Sequence, residues 1–175
     1  MARGRAQRAR VRAACPPSTL CGARSAEPGQ RAHQGDLEAW LVYEQNLINE
    51  MASLTTINRE LPHSRHFPVL GEHGRLADGR VYLTMSLFDE WPLATAVGSE
   101  RRPDRLVTHL RTTVEVAKAL GELHGLEIWH VDLNPMNILS RWEAGKPVIR
   151  LVDFESSYEV SRYSTGRFYN PPTTS

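Results

Sequence analysis

His130-Val131-Asp132-Leu133-Asn134-Pro135-Met136-Asn137-Ile138-Leu139, with Asp153-Phe154-Glu155 closing the next apolar run, is the part of the chain that decides its reading. It sets an Asp, an Asn and a second Asp on two neighbouring loops. Apolar, strand-like residues flank both loops: Ile138-Leu139 after the first and Val148–Val152 before the second, with a turn expected over Glu143–Pro147. Two carboxylates and a carboxamide are the groups that phosphoryl transfer from a nucleotide requires. One carboxylate orients the attacking hydroxyl and accepts its proton, while an amide and the other carboxylate hold Mg²⁺ against the phosphates.

Upstream, Leu37, Trp40, Leu41, Leu47, Ile48, Met51, Leu54 and Ile57 recur at three- and four-residue steps, which predicts a helix running to about Asn58, with Pro62 beyond its end. Phe67–Leu70 and Val81–Phe88 read as strands joined by a turn-rich Gly71–Gly79. A short helix is expected at Leu93–Val97. Pro103-Asp104 offers the start of a longer one, with Leu106, Leu110, Val114, Ala117 and Leu120 as its apolar face and Gly125 near its end. From Ser156 the chain is polar, and no stable element is expected. Residues 1–34 are Arg/Ala-rich without periodicity and are expected to be a disordered head, leaving 35–175 as the folded part.

In this order the elements and loops resemble the protein kinase family, of the eukaryotic-like Ser/Thr type. The resemblance implies an α+β, two-lobed fold, present here as an incomplete catalytic domain: small-lobe helix and strands over 36–88 and part of the large lobe over 92–175. It implies Asp132 as the base receiving the substrate hydroxyl proton, with Asn134 beside it in the catalytic loop, and Asn137 and Asp153 as Mg²⁺ ligands. Glu50 takes the register of the family's helix glutamate. Met85 gates the adenine pocket, the backbones of Ser86 and Phe88 pair with the adenine edge, and Leu139 completes the nucleotide-binding set. His130 is implied to pack under Phe154 rather than to move protons. ATP and Mg²⁺ are the cofactors so implied, and a protein Ser/Thr hydroxyl the acceptor.

Departures from the family pattern bear on activity. Val131 replaces the Arg that pairs with a phosphorylated activation loop, so that switch is expected to be absent. Asn134 stands in place of the usual Lys, and Glu155 in place of a Gly whose freedom lets the metal loop flip. No Gly-rich nucleotide loop precedes residue 37, and the only lysines, Lys118 and Lys146, lie far downstream of where a phosphate-anchoring Lys is required. The large-lobe floor helices have no counterpart, so the Leu106–Leu123 stripe is expected to lie exposed and to favour association. Ser164–Pro172 resembles a late activation segment. The chain therefore reads as a gene fragment, or one with a mis-called start codon, whose phosphotransfer is weak or nil. A non-catalytic, pseudokinase-type binding module and a small-molecule kinase of the aminoglycoside or choline type are the alternatives.

Composition narrows the remainder. The 175 residues are 41% hydrophobic with a net charge of +1. That balance conceals a basic head, where Arg3, Arg5, Arg8, Arg10, Arg12, Arg24 and Arg31 face Glu27 alone. Aromatic interleaving is missing from the head, so nucleic-acid binding is not expected, and no apolar run is long enough for a membrane span. The two cysteines, Cys15 and Cys21, both lie in the head, which suits a reducing, cytoplasmic setting. His63, His66 and His73 lack a well-spaced fourth ligand and are not expected to form a zinc site.

Overall fold

The long apolar period resolves as α1, Gln34–Glu60, whose Leu47, Met51, Leu54 and Ile57 are buried on one face. The computed structural model describes residues 9–13, 34–95 and 105–165. The strands before the cleft are β1 (Ala9–Ala13), β2 (Leu70–Arg75) and β3 (Val81–Ser86), which form one antiparallel sheet in the order β1-β3-β2. Strict alternation along β3 buries Val81, Leu83 and Met85 against α1.

A second antiparallel sheet joins β4 (Trp91–Pro92), β6 (Ile138–Glu143) and β7 (Lys146–Leu151), and β5 (Ile128–Trp129) pairs with β8 (Tyr158–Glu159). Two helices, α2 (Arg105–Gly125) and α3 (Val160–Thr165), complete the described elements, and residues 93–95 are also helical. The chain is α+β. One continuous apolar cluster links α1, β3, α2 and the β6–β7 hairpin through Phe67, Leu123, Ile128, Ile149, Leu151 and Phe154.

Three expectations are corrected. The head contains a strand: β1 pairs with β3, with Arg10 opposite Met85 and Arg12 opposite Leu83. Ala9, Val11 and Ala13 alternate with Arg10 and Arg12, but over only five residues and with two weak strand formers, so the pattern is too short to announce a strand. The supposed turn from Gly71 begins as strand. A Cβ on Gly71 would sit 2.5 Å from Thr84 Oγ1, so this glycine serves the close approach of β2 to β3 beside a register shift, and the turn itself falls at Leu76–Gly79. On α2, Leu106, Leu110 and Val114 lie exposed, as expected of the stripe, whereas its later part turns inward: Leu120 is half-buried, and Thr112, Ala119 and Leu123 are buried, with Val116 half-buried. The smaller residues allow close packing, and the more apolar stripe stands uncovered. Finally, the polar stretch after Ser156 forms β8 and α3.

The β6–β7 turn matches its expected place. Ala144 and Gly145 both adopt positive φ (49° and 77°) in a two-residue connection that suits the twist of the strands. Pro103-Asp104, the far half of Leu93–Val97, both cysteines and Gly166–Pro172 lie outside the described residues.

Candidate functional site

Between β5 and β6 the chain turns sharply enough to aim three polar side chains. Val131 adopts φ 64°, and the Asp132 N–H donates to His130 O (2.8 Å) across it. A β-branched residue in this region is a genuine outlier, so the turn is held by its surroundings and not by local preference. Asn134 Oδ1 accepts from the Met136 N–H (2.9 Å) and its Nδ2 donates to Asp132 O (3.3 Å). The Asn134 side chain thus builds the loop. Asn137 is buried, and its Nδ2 donates to Asp132 O (3.0 Å) and Asp132 Oδ2 (3.1 Å). Both amide hydrogens being engaged, the Asn137 carbonyl oxygen is the end left to face a cation or donor.

The second loop is pinned to the first. The Val152 N–H donates to Asn137 O (3.0 Å), and Val152 O accepts from His130 Nε2 (3.0 Å). Phe154 is fully buried, its ring 4.9 Å from His130 and 6.1 Å from Phe67 in tilted and edge contacts. His130 therefore packs under Phe154, as the resemblance implies. Asp153 carries the positive φ (69°) of this loop, and Glu155 does not. Asp tolerates that region better than most side chains.

Burial holds the His130 imidazole below its ordinary value, against opposing pulls from its bond to Val152 and from the Asp153 and Asp132 carboxylates. Nδ1 finds no partner among the described residues, so a second ring proton would be buried without an acceptor. The native state thus holds His130 neutral while the unfolded chain takes up a proton below about pH 6.5. Stability is full above that value and falls as pH drops beneath it, by at most about 1.4 kcal/mol per pH unit. Thermal melts between pH 7.5 and 5.5 should show this slope. His130→Phe should flatten it; an unchanged slope would assign it to other groups.

The two loops meet β3 and α1 around a cavity of about 380 Å³, within the size range of small-molecule sites. Glu50 comes from α1. Met85, Ser86 and Phe88 come from β3 and the residues after it. Asn137, Leu139 and Asp153 come from the two loops and β6. These seven sequence candidates are brought together. Asp132 is exposed and is not part of the cavity wall, but its carboxylate is bonded to Asn137, which is. Glu50 is 1% exposed, so it does not belong to the solvated face of α1. The Ser86 N–H is engaged with Val69 O (2.9 Å), which ties the wall to the strand before it.

Sequence reasoning missed Glu90. Its side chain is 2% exposed and lines the cavity, with Oε1 3.0 Å from Arg150 Nε and 3.4 Å from Arg141 Nε. Oε2 has no hydrogen-bond partner among the described residues. Arg150 also lies over the Phe88 ring, 4.5 Å from its centroid, so one guanidinium braces both a carboxylate and an aromatic wall. Asp89-Glu90 looks like ordinary loop charge, and nothing in local spacing connects it to Arg150.

Asn137 and Asp153 offer oxygen donors in one cavity, the donor type a hard cation such as Mg²⁺ takes. Mg²⁺ commonly uses only one or two side chains and completes its shell with phosphate oxygens and water. Among the described residues no group of three or more His, Cys, Asp or Glu could hold a metal ion by itself. No described helix is long and apolar enough to cross a membrane. No protein-family model matches the chain, and no curated protein matches it either.

Proposed function

We propose that the cavity binds a magnesium-bound nucleotide, ATP, and that the chain is a protein-kinase-like phosphotransferase domain, weak in transfer to a protein Ser/Thr hydroxyl. The observation that carries this reading is the convergence of Glu50, Met85, Phe88, Asn137 and Asp153 on one cavity from four separated stretches of sequence. In this reading Met85 and Phe88 bound the base. Glu90 Oε2 accepts a hydroxyl or amino group of the ligand, since a buried acceptor left unpaired is costly. Asn137 and Asp153 hold the metal, which supplies positive charge against the phosphates. Asp132, at the rim, orients the acceptor hydroxyl and takes its proton, kept in place by Asn137.

Melting the chain with Mg-ATP, with ATP plus a chelator, and with Mg²⁺ alone tests the reading. Mg-ATP at about 100 times its dissociation constant should add about 2.7 kcal/mol of stability. No Mg-ATP-dependent gain would sink the proposal and favour the non-catalytic binding module. Transfer from labelled ATP should be slow and absent in Asp132→Asn.

A further inference from the structure

We propose that Asn49 and Arg162 form a clasp that sets the position of the Asp153 loop against α1 without any modification of the chain. This inference rests on the nucleotide reading above and adds to it two positioning residues.

The clasp is built of directional bonds. Asn49 precedes Glu50 on α1. Its Nδ2 donates to Glu155 O (2.7 Å) and Ser157 O (2.8 Å), and its Oδ1 accepts from Arg162 Nη1 (2.7 Å). Both amide hydrogens and the amide oxygen are therefore committed to the segment that follows Asp153. Arg162, in the first turn of α3, also donates through Nη2 to Glu159 Oε2 (2.6 Å) and Ser53 Oγ (3.3 Å). Ser53 lies one helical turn beyond Asn49, so both face the same segment.

Proton counting gives the remaining direction. Ser157 has one hydroxyl hydrogen and donates it to Phe154 O (2.6 Å), so in the 2.7 Å contact between Ser53 and Ser157 the hydrogen comes from Ser53. A chain of donors thus runs from the Arg162 guanidinium through Ser53 and Ser157 to the carbonyl next to Asp153. Arg162 and Glu159 are mostly buried and offset each other's charge. Asn49 abuts Glu50, and Glu155 lies two residues past Asp153. The clasp consequently joins the two elements that bring these cavity carboxylates together. It also explains how Asp153 is kept at positive φ: Val152 is bound on one side, and Phe154, Glu155 and Ser157 on the other.

The test uses the full chain and Arg162→Gln, with Arg162→Lys as the conservative variant. In the free protein, Arg162→Gln should speed hydrogen exchange of the 154–157 amides about tenfold, as loss of charge-assisted bonds predicts, and leave β6 amides unchanged. Mg²⁺-dependent nucleotide affinity should fall about tenfold while metal-free affinity holds; Lys should restore part of both. Unchanged exchange overturns the clasp whether or not nucleotide binds. Faster exchange with unchanged Mg²⁺-dependent affinity overturns its positioning role. If the unaltered chain shows no Mg²⁺-dependent binding, the reading beneath the proposal fails, and the exchange result still judges the clasp. Should Arg162→Gln not fold, Arg162→Lys carries the same comparison with a smaller expected change.

Discussion

Asp153→Asn abolishes the magnesium-dependent part of nucleotide binding and leaves the fold standing: that is the expected result with the largest functional effect. Asn has the shape of Asp and, like it, tolerates φ near 69°, so the loop loses a charge and keeps its backbone. A neutral amide beside Asn137 offers the cation no counter-charge. The stabilisation of about 2.7 kcal/mol expected from Mg-ATP at about 100 times its dissociation constant should vanish. For a chain of this size that is a shift of about 2 to 4 °C per kcal/mol. Calorimetry with and without a chelator reads it directly. A variant that keeps the full magnesium-dependent shift would remove Asp153 from the site.

Phe154→Ala should have the largest effect on stability, about 3 to 5 kcal/mol, because it opens a cavity where the ring now fills a fully buried position. The cost extends beyond lost area. The Phe154 ring is the shared neighbour of Phe67 and His130, one from the connection after α1 and one from the loop that carries Asp132. Removing it leaves both unsupported and frees the Asp153 backbone beside it. Phe154→Leu keeps most of the volume and should cost markedly less, roughly the aromatic contribution of about 0.5 to 1.5 kcal/mol per ring contact. Chemical denaturation of both variants checks this order. A Phe154→Ala protein as stable as the parent would mean that the three rings do not bind the two loops together.

Where the structure follows the sequence, the governing signal is short in range. The period of Leu47, Met51, Leu54 and Ile57 reports α1, alternation through Val81, Leu83 and Met85 reports β3, and the apolar runs around Ala144-Gly145 report the β6–β7 hairpin. The cavity residues named from the sequence converge because the motifs that carry them fall on loop and strand positions already fixed by those periods.

What escaped the sequence depends on distant partners. The pairing of Glu90 with Arg150 and the bonds of Arg162 to Asn49 and Ser53 join residues far apart in the chain, and each looks like a solvated charge when seen alone. Which face of α2 is buried escaped the sequence for a related reason. Leu106, Leu110 and Val114 are the stronger apolar set, but the burial of Thr112, Ala119 and Leu123 is decided by how closely β7 can approach. Likewise Gly71 signals a turn to a local reading and a close strand crossing to a global one.

The place of β1 in the first sheet has a consequence for the integrity of the protein. In the order β1-β3-β2, the strand bordering the cavity is central, its ladder occupied on both sides. Cutting away the opening residues would leave β3 with a bare row of backbone donors and acceptors, a ready template for a strand from another molecule. The arginine-rich beginning of the chain thus guards against self-association at the very strand that lines its cleft.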